Sequence, residues 1–261
     1  MSKQIKDIVI VGSGNVAEAI AIAISECPTL TLRQVVGRNA RRAGEIANKA
    51  GCDAGTDLGD AAPADLYIIS VSDRAVGEVA HALRRCEGSI VVHTAGSVEM
   101  GVLGDKECGV LYPFQTFTAG RRVDFSAIPL FVEGADEPTT EQIMEVAKAL
   151  SRRVYRLGYE RRREIHLTGV LACNFVNALY AMAADRLGEH ASLPFDVLRP
   201  LIEETARKAI DAEHPRRVQT GPAVRGDFSV AERHEAMLGE GREQEIYKLL
   251  TQQIWQTSKK I

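Results

Sequence analysis

The chain has 261 residues, enough for one large domain or two smaller ones with a sizeable hydrophobic core. Its hydrophobic content of 45%, its charged content of 26% and its net charge of −3 are ordinary for a soluble globular protein, and they argue against nucleic-acid or anionic-membrane partners. The five cysteines are scattered and form no Cys-x-x-Cys pair, which predicts reduced thiols, a cytoplasmic protein and no metal site.

The N-terminal stretch carries the most informative pattern. Residues 8–11 are four β-branched residues in a row, which predicts a strand buried on both faces. A Gly-x-Gly-x-x-Ala sequence follows, whose small residues permit a sharp turn, the approach of a pyrophosphate and close helix packing. A tight turn without a ligand is the alternative. We predict a dinucleotide-binding turn in which the phosphates contact Gly12, Ser13, Gly14, Asn15 and Val16.

Strands and helices alternate through the first 158 residues. This alternation predicts an α/β fold, namely a Rossmann-like, doubly wound and mostly parallel sheet covered on both faces. After the first strand, the predicted strands are 32–36, 65–71, 89–93, 109–111, 129–133 and 153–157. The predicted helices are 39–50 after an Asn39 cap, 73–83 after an Asp73 cap, and 139–150 after a Thr139/Gln142 capping box.

The pattern becomes purely helical after the last predicted strand. We expect helices at 160–188, 195–212, 229–238 and 243–256, with a loop at 213–228 and a Ser229/Glu232 capping box. The predicted organisation is therefore an NAD(P)-binding domain at 1–158 and an all-helical domain at 159–261. No apolar stretch reaches the roughly 18 residues of a membrane span, and no apolar signal region precedes the first strand.

The end of the second predicted strand bears on the choice of cofactor. An acidic residue there usually binds both ribose hydroxyls, but this chain has Gly37 followed by Arg38, with Arg41 and Arg42 close behind. A guanidinium makes charge-assisted hydrogen bonds to a 2′-phosphate. The arrangement favours NADP, bound by Arg38, over NAD; arginines on a solvated helix start are the alternative.

Two later strand ends supply polar candidates. Ser72 and Asp73 could line the cofactor's ribose, although an N-cap is the simpler role for Asp73. His93 and Thr94 end the next strand, where a nicotinamide ring is expected, and His93 is our first candidate for the proton donor. A histidine bonded to the neighbouring backbone is the alternative.

Further polar residues could orient a substrate. Gln115 and Thr116 follow an apolar run, where a turn at Pro113 is the alternative. Three more polar residues lie on the first long helix of the second half, namely His166, Asn174 and Asn177. Their spacings of eight and three residues place them on one face of that helix, within about 40° of one another.

Taken together, several segments resemble a family that joins a Rossmann-like half to a C-terminal domain of unknown function numbered 2520. The resemblance spans nearly the whole chain. It rests on the glycine turn and on the segments His93–Ser97, Pro113–Phe117, Asn174-Phe175 and Thr220–Asp227. The last segment is the most specific; pairing of Arg225 with Asp227 would explain it structurally, and the nearby His234 could face the same cleft.

The resemblance implies a distant relationship to pyrroline-carboxylate reductases, ketopantoate reductases and 6-phosphogluconate dehydrogenases. In these relatives the helical domain commonly mediates dimerisation and completes the active site, so the resemblance implies a homodimer. Two positions depart from the pattern. Tyr112 stands where many members have His, so it receives no acid role, and Val170 replaces the lysine of the relatives' Lys-x-x-x-Asn helix, which leaves their mechanism in doubt.

The resulting hypothesis is an NADP-dependent oxidoreductase that moves a hydride to or from a small polar carbonyl or imine compound. In this hypothesis Ser72 and Thr94 contact the cofactor, His93 supplies the proton, and Gln115, Thr116 and Asn174 orient the substrate. The alternative is a sensor that binds NADP without turning anything over.

Overall fold

The computed structural model describes residues 4–104 and 106–259, which form two compact units. The first unit extends to Asn174 and contains a sheet, and the second begins at Phe175 and is helical. The helix after the last strand is thus grouped with the sheet. The functional boundary near residue 158 stays a prediction.

The first unit is built on one eight-stranded sheet in the order β3-β2-β1-β4-β5-β6-β7-β8. Neighbouring strands are parallel except for β6 and β7, which confirms the predicted, mostly parallel, Rossmann-like fold. The sequence analysis missed only β3, a three-residue strand without an apolar pattern. The strands are β1 Asp7–Val11, β2 Thr31–Val36, β3 Asp53–Gly55, β4 Leu66–Ile69, β5 Ile90–His93, β6 Cys108–Pro113, β7 Leu130–Gly134 and β8 Val154–Arg156.

Helices cover both faces of this sheet, and β1 is buried by both layers. Ile8 and Ile10 belong to one hydrophobic cluster, whereas Val9 and Val11 belong to another on the opposite face. Each fully buried side chain of this kind stabilises the fold by about 1.5–3 kcal/mol. The helices are α1 Asn15–Ser25, α2 Ala40–Ala50, α3 Val76–Ala82, α4 Glu137–Leu150 and α5 Tyr159–Gly169, after which a π-helical turn covers Val170–Asn174.

The second unit contains helices and no strand within its described residues. The predicted loop 213–228 is partly helical, because a 3₁₀ turn at Pro215–Val218 and the short helix α8 lie within it. The helix predicted at 195–212 likewise begins as a 3₁₀ turn at Phe195–Leu198, and its α-helical part starts at Arg199. The helices are α6 Phe175–Ala191, α7 Arg199–Asp211, α8 Pro222–Arg225, α9 Phe228–Leu238 and α10 Arg242–Ser258.

Helix starts differ from the prediction in an instructive way. Asn39 caps α2 as predicted, by accepting a hydrogen bond from the Arg42 amide. The two predicted capping boxes are wrong, because aspartates a few residues earlier take the cap positions. Asp136 caps α4 and Asp227 caps α9. A carboxylate accepts the first-turn amides and also interacts favourably with the positive end of the helix dipole.

The sequence analysis underestimated the length and hydropathy of one apolar stretch. Within the described residues, Tyr159–Ala191 contains an 18-residue window of mean hydropathy 1.5, which is long and apolar enough to cross a membrane. This corrects the expectation that no such stretch exists. None of this window is buried, unlike the core helix of a soluble protein that passes the same test, but a single helix of this kind is weak evidence for a membrane span.

Candidate functional site

A cavity of about 970 Å³ lies at the carboxyl ends of the central strands, and all of its lining residues belong to the first unit. In open α/β sheets this edge is where ligands bind, and the volume is near the upper end of the range of about 300–1,000 Å³ for ligand pockets. The ends of several strands contribute polar or small residues to it. They include Gly12 after β1, Gly37 after β2, Ser70 after β4, Thr94 after β5 and Tyr112 on β6.

The glycine turn has the geometry that a pyrophosphate requires. Gly12 adopts φ +138°, and a Cβ there would lie 2.1 Å from the Ser70 carbonyl oxygen, so only glycine fits. Gly14, in contrast, has open space where a Cβ would be, and it precedes α1 without a side-chain cap. The first amides of α1 are therefore available to a phosphate, and the residues present fit a dinucleotide.

The three arginines after β2 have different surroundings. Arg38 is exposed and lines the cavity. Arg41 forms a salt bridge with Glu45 at 2.9 Å, and Arg42 pairs with both Glu45 and Glu18; neither arginine lines the cavity. Arg38 alone of the three is thus placed for an anionic group of a ligand.

Glu18 is a buried carboxylate on α1 that the sequence analysis missed. It accepts hydrogen bonds from Arg42 and from Lys49 at 2.7 Å, both on α2. Burial raises the pKa of Glu18, but the two cationic donors outweigh that effect and leave the pKa below its usual value. This ion-paired cluster fixes α2 against α1, and with it the Arg38 segment. A glutamate on the apolar face of a helix was the signal for it.

The ends of β4 and β5 meet at the middle of the cavity. Ser72 and Thr94 both line it, as expected, and the Thr94 hydroxyl lies 3.3 Å from the Ser70 hydroxyl. Asp73 does not act as the predicted N-cap; its carboxylate accepts a hydrogen bond from the Ser97 hydroxyl. This contact connects the two strand ends.

His93 is placed differently from the other predicted site residues. Its side chain is fully buried, and it is not among the residues that line the cavity. Nδ1 accepts a hydrogen bond from the Ala95 amide, whereas Nε2 has no hydrogen-bond partner within the described residues. Burial, together with the charge of Arg162, lowers the pKa of His93 to about 4. The structure thus has a neutral histidine bonded to the backbone here, and the catalytic role stays a prediction.

Arg162 supports the loop that follows β5. This arginine of α5 is fully buried, and its guanidinium donates to the carbonyl oxygens of Ala95, Gly96 and Val98 at 2.8–3.2 Å. It also forms a salt bridge with Glu133 on β7 at 3.0 Å. The sequence analysis missed this anchor, since residues far apart in the chain create it.

Tyr112 and His166 form a hydrogen-bonded pair in the wall of the cavity, with 3.1 Å between the phenol oxygen and Nδ1. Burial raises the pKa of Tyr112 to about 12, so the phenol stays protonated at neutral pH. The pair packs on Gly96, where a Cβ would lie 2.6 Å from Nδ1 of His166 and 2.8 Å from the Tyr112 ring. The sequence separation of 54 residues between the two partners explains why no local pattern predicted this contact.

The predicted substrate-orienting residues divide into two groups. Gln115, Thr116 and Asn174 all line the cavity, and Asn174 lies in the π-helical turn, a feature frequent at functional sites. Asn177, on α6, is not among the lining residues. His234 bonds instead to the Tyr247 hydroxyl at 2.9 Å.

The specific segment Thr220–Asp227 has a structural explanation. No salt bridge between Arg225 and Asp227 forms within the described residues; Asp227 caps α9 instead. Gly226 adopts a positive φ and packs against the ring of Trp255, where a Cβ would lie 2.7 Å away. Across the described part of the chain, no group of three or more His, Cys, Asp or Glu residues is placed to hold a metal ion.

Family models and solved structures agree with this geometry. Residues 7–96 match the family described as NADP oxidoreductase, coenzyme F420-dependent, and residues 128–254 match the domain of unknown function 2520. No curated protein matches the chain.

A protein of Bacteroides fragilis, described as an NADP oxidoreductase, is 39% identical over 96% of this chain and 98% of its own, with a TM-score of 0.86. A Thermotoga maritima protein (20% identity, 97% and 98% coverage, TM-score 0.75) and a pyrroline-5-carboxylate reductase of Coxiella burnetii (17%, 98% and 98%, 0.55) share the fold. The chain therefore belongs to the NADP oxidoreductase family whose members combine a Rossmann-like domain with the C-terminal domain of unknown function 2520.

Proposed function

We propose that the protein is an NADP(H)-dependent reductase that acts on a small polar carbonyl or imine compound. One observation carries this proposal: a single cavity connects a phosphate-binding turn with a pair of proton-transfer side chains. Gly14 and Arg38 line one part of it, and Tyr112 and His166 line another. A binding site for phosphates alone would not need the second group.

The preference for NADP over NAD rests on Arg38. The second strand is followed by a glycine and an exposed arginine in the cavity wall, and no salt bridge of Arg38 is found within the described residues. A free guanidinium can bind a 2′-phosphate through two parallel hydrogen bonds, whereas the ribose of NAD offers only hydroxyls.

The cofactor and the lining residues would have separate roles in the reaction. The bound nicotinamide would supply hydride chemistry, and the protein would orient the substrate and deliver a proton. Gly12 to Val16 would hold the pyrophosphate, while Ser72 and Thr94 would contact the central part of the cofactor. Gln115, Thr116 and Asn174 offer amide and hydroxyl groups that suit a small polar substrate.

The substrate class is supported by proteins of similar fold. One of them is the pyrroline-5-carboxylate reductase described above, and another is an imine reductase from Pseudomonas, 15% identical over 80% of this chain with a TM-score of 0.57. Both names refer to the reduction of C=N bonds. A carbonyl is reduced with the same requirements, a hydride at carbon and a proton at the heteroatom.

We infer that the protein is a homodimer, and the surface of the helical unit supports this inference. Within residues 175–259, Ala231 is the one buried hydrophobic residue, whereas many large apolar side chains are exposed. Exposed apolar area of this kind marks an interface. These side chains include Phe175, Leu201, Ile210, Met237 and Leu249. Sedimentation at low micromolar concentration tests this inference, and a monomer would contradict it.

Cofactor binding and turnover test the function directly. Calorimetry with NADPH and NADH measures binding, and the loss of NADPH absorbance is followed with pyruvate, 1-pyrroline and a deazaflavin. Steady consumption with one of these compounds supports the reductase. If the protein binds NADPH tightly but consumes no NADPH with any compound of a broad panel of candidate substrates, the result favours the alternative, a sensor of the cofactor's redox state.

A further inference from the structure

We propose that His166 is the catalytic residue that donates the proton to the substrate, and that Tyr112 is the positioning residue that holds its ring in the productive orientation. This proposal rests on the proposed reductase function and names its proton source. It goes beyond the sequence, which pointed to His93 as the donor and gave Tyr112 no role in acid chemistry.

The position of the pair supports this assignment. His166 is half-buried at the end of α5, and both its side chain and that of Tyr112 line the cavity. Thr94, Ala95 and Gly96, which follow β5 at the place where a nicotinamide is expected, line the same cavity. His93 is fully buried and is not part of this lining, so a substrate would meet His166 instead.

The hydrogen bond defines which ring nitrogen is available. With its pKa at about 12, Tyr112 stays a phenol, and the proposal assigns its O–H as the donor to Nδ1 of the neutral imidazole, a direction that depends on the tautomer of the ring. The proton of the neutral ring then lies on Nε2, for which the described residues provide no hydrogen-bond partner. In the imidazolium form Nδ1–H donates to the phenol oxygen instead, and Nε2–H remains free for the substrate.

Close packing keeps the pair in place. The His166 and Tyr112 side chains both rest on the backbone of Gly96, whose carbonyl is held by Arg162. Phe114 contacts Tyr112 edge to face at a centroid distance of 6.2 Å and packs on Gly169, where a Cβ would lie 2.7 Å from its ring. Two glycines thus provide the space that the aromatic and imidazole rings occupy.

The proposed step balances in atoms and electrons. A nicotinamide held in the cavity would supply the hydride for the new C–H bond at the carbonyl or imine carbon and would be the group that is oxidised, while the π electrons of the C=O or C=N bond would move to oxygen or nitrogen. That atom would take the proton from Nε2 of the His166 imidazolium, which becomes the neutral ring. Solvent would then return the proton to His166.

Charged groups near the pair come from two other positions. Arg162, on α5 with His166, lowers the pKa of Tyr112, and Asp73, which follows β4, raises it; burial outweighs both. The immediate partner of the His166 ring is therefore a neutral phenol, on which a guanidinium and a carboxylate act in opposite directions.

Steady-state kinetics with NADPH and the active compound of the panel (pyruvate or 1-pyrroline) test the assignment. His166→Gln should lower kcat at least about 100-fold, a typical contribution of general acid catalysis, with the Kd for NADPH within about twofold of wild type. Tyr112→Phe should lower kcat about tenfold. The exposed His81 on α3, outside the cavity lining, provides the matched control His81→Gln, which should behave as wild type. A His166→Gln enzyme with wild-type kcat would overturn the proposal.

A measurement independent of turnover separates this proposal from the proposed function. If the wild type consumes none of the probe compounds, the reductase assignment fails. In that case ¹⁵N NMR of the histidine rings still tests the hydrogen bond between Tyr112 and His166 and the position of the pair next to bound NADPH. The proposal predicts neutral His166 protonated at Nε2, loss of the Nδ1 hydrogen bond in Tyr112→Phe, and a shift of the His166 signals when NADPH binds. Protonation at Nδ1, or signals that do not respond to NADPH, would contradict it.

Discussion

The two proposed functional regions of the cavity are built on different principles. The proposed phosphate-binding region consists of contiguous residues from Gly12 to Val16, which would act through backbone geometry and a helix N-terminus. The proposed proton-transfer region brings together Gly96, Tyr112 and His166 from three separate elements. A site made from the local backbone leaves a readable sequence pattern, whereas a site made by side chains from distant elements does not.

The first prediction concerns Arg162, the support of the proton-transfer region. Arg162→Met should lower the free energy of unfolding by about 3–5 kcal/mol, because it leaves Glu133 and three carbonyl oxygens without their buried partner. Urea denaturation measures this loss. Arg163→Met, on the exposed side of the same helix, is the control and should change stability by less than about 1 kcal/mol. Equal stability of both variants would show that Arg162 is no anchor.

The second prediction compares two glycines of the phosphate-binding region. Gly12→Ala should lower the free energy of unfolding by about 3 kcal/mol and abolish NADPH binding. Its Cβ would collide with the Ser70 carbonyl, and its backbone would be held at a positive φ that alanine disfavours. Gly14→Ala has open space and should change stability by at most about 1 kcal/mol, yet its methyl group should weaken NADPH binding at least tenfold. Thermal unfolding and calorimetry measure both effects. Unchanged NADPH affinity in Gly14→Ala would place the phosphates elsewhere.

The third prediction uses the buried His93, next to the proton-transfer region. Its folded pKa of about 4 is below the ordinary 6.5, so between these values only the unfolded chain binds the proton. The stability that the protein gains from keeping His93 neutral is fully present above pH 6.5 and is lost as the pH falls toward 4. At pH 5 the loss in the free energy of unfolding is about 2 kcal/mol. Denaturation of His93→Gln between pH 7 and 5 should show a shallower loss than wild type. Parallel curves would mean that His93 titrates normally.

The fourth prediction concerns Arg38 and has the smallest expected effect. Arg38→Ala should weaken NADPH binding about tenfold and leave NADH binding unchanged, because only NADPH carries the 2′-phosphate. Arg41→Ala is the matched control, since Arg41 is exposed, pairs with Glu45 and lies outside the cavity lining. Competition between NADPH and NADH measures both variants. An equal loss for the two cofactors would assign Arg38 to general attraction of anions.

Much of the fold was predictable because its signals are local. Alternating apolar runs and helical periods located the sheet and most helices, and Asn39 marked the start of α2. The helix starts at Asp136 and Asp227 were missed, because Ser/Thr-x-x-Glu/Gln patterns nearby satisfied the same rule equally well. The antiparallel pairing of β6 with β7 depends on tertiary contacts that no single segment encodes.

The candidate site was predictable to a smaller extent. Strand ends correctly brought Ser72, Thr94, Gln115 and Thr116 to one cavity, because parallel strands share a carboxyl edge. The sequence could not say which way a side chain at such an end points. His93 illustrates this, since the last residue of β5 is buried in the structure rather than exposed in the cavity.

Titration calorimetry of the wild-type protein with NADPH tests the central claim most directly. The account predicts saturable binding with one site per chain, tighter for NADPH than for NADH, and competition between the two cofactors for the same site. A folded protein that releases or absorbs no binding heat with either cofactor, over the range of about 1 μM to 1 mM typical of enzyme ligands, would contradict it.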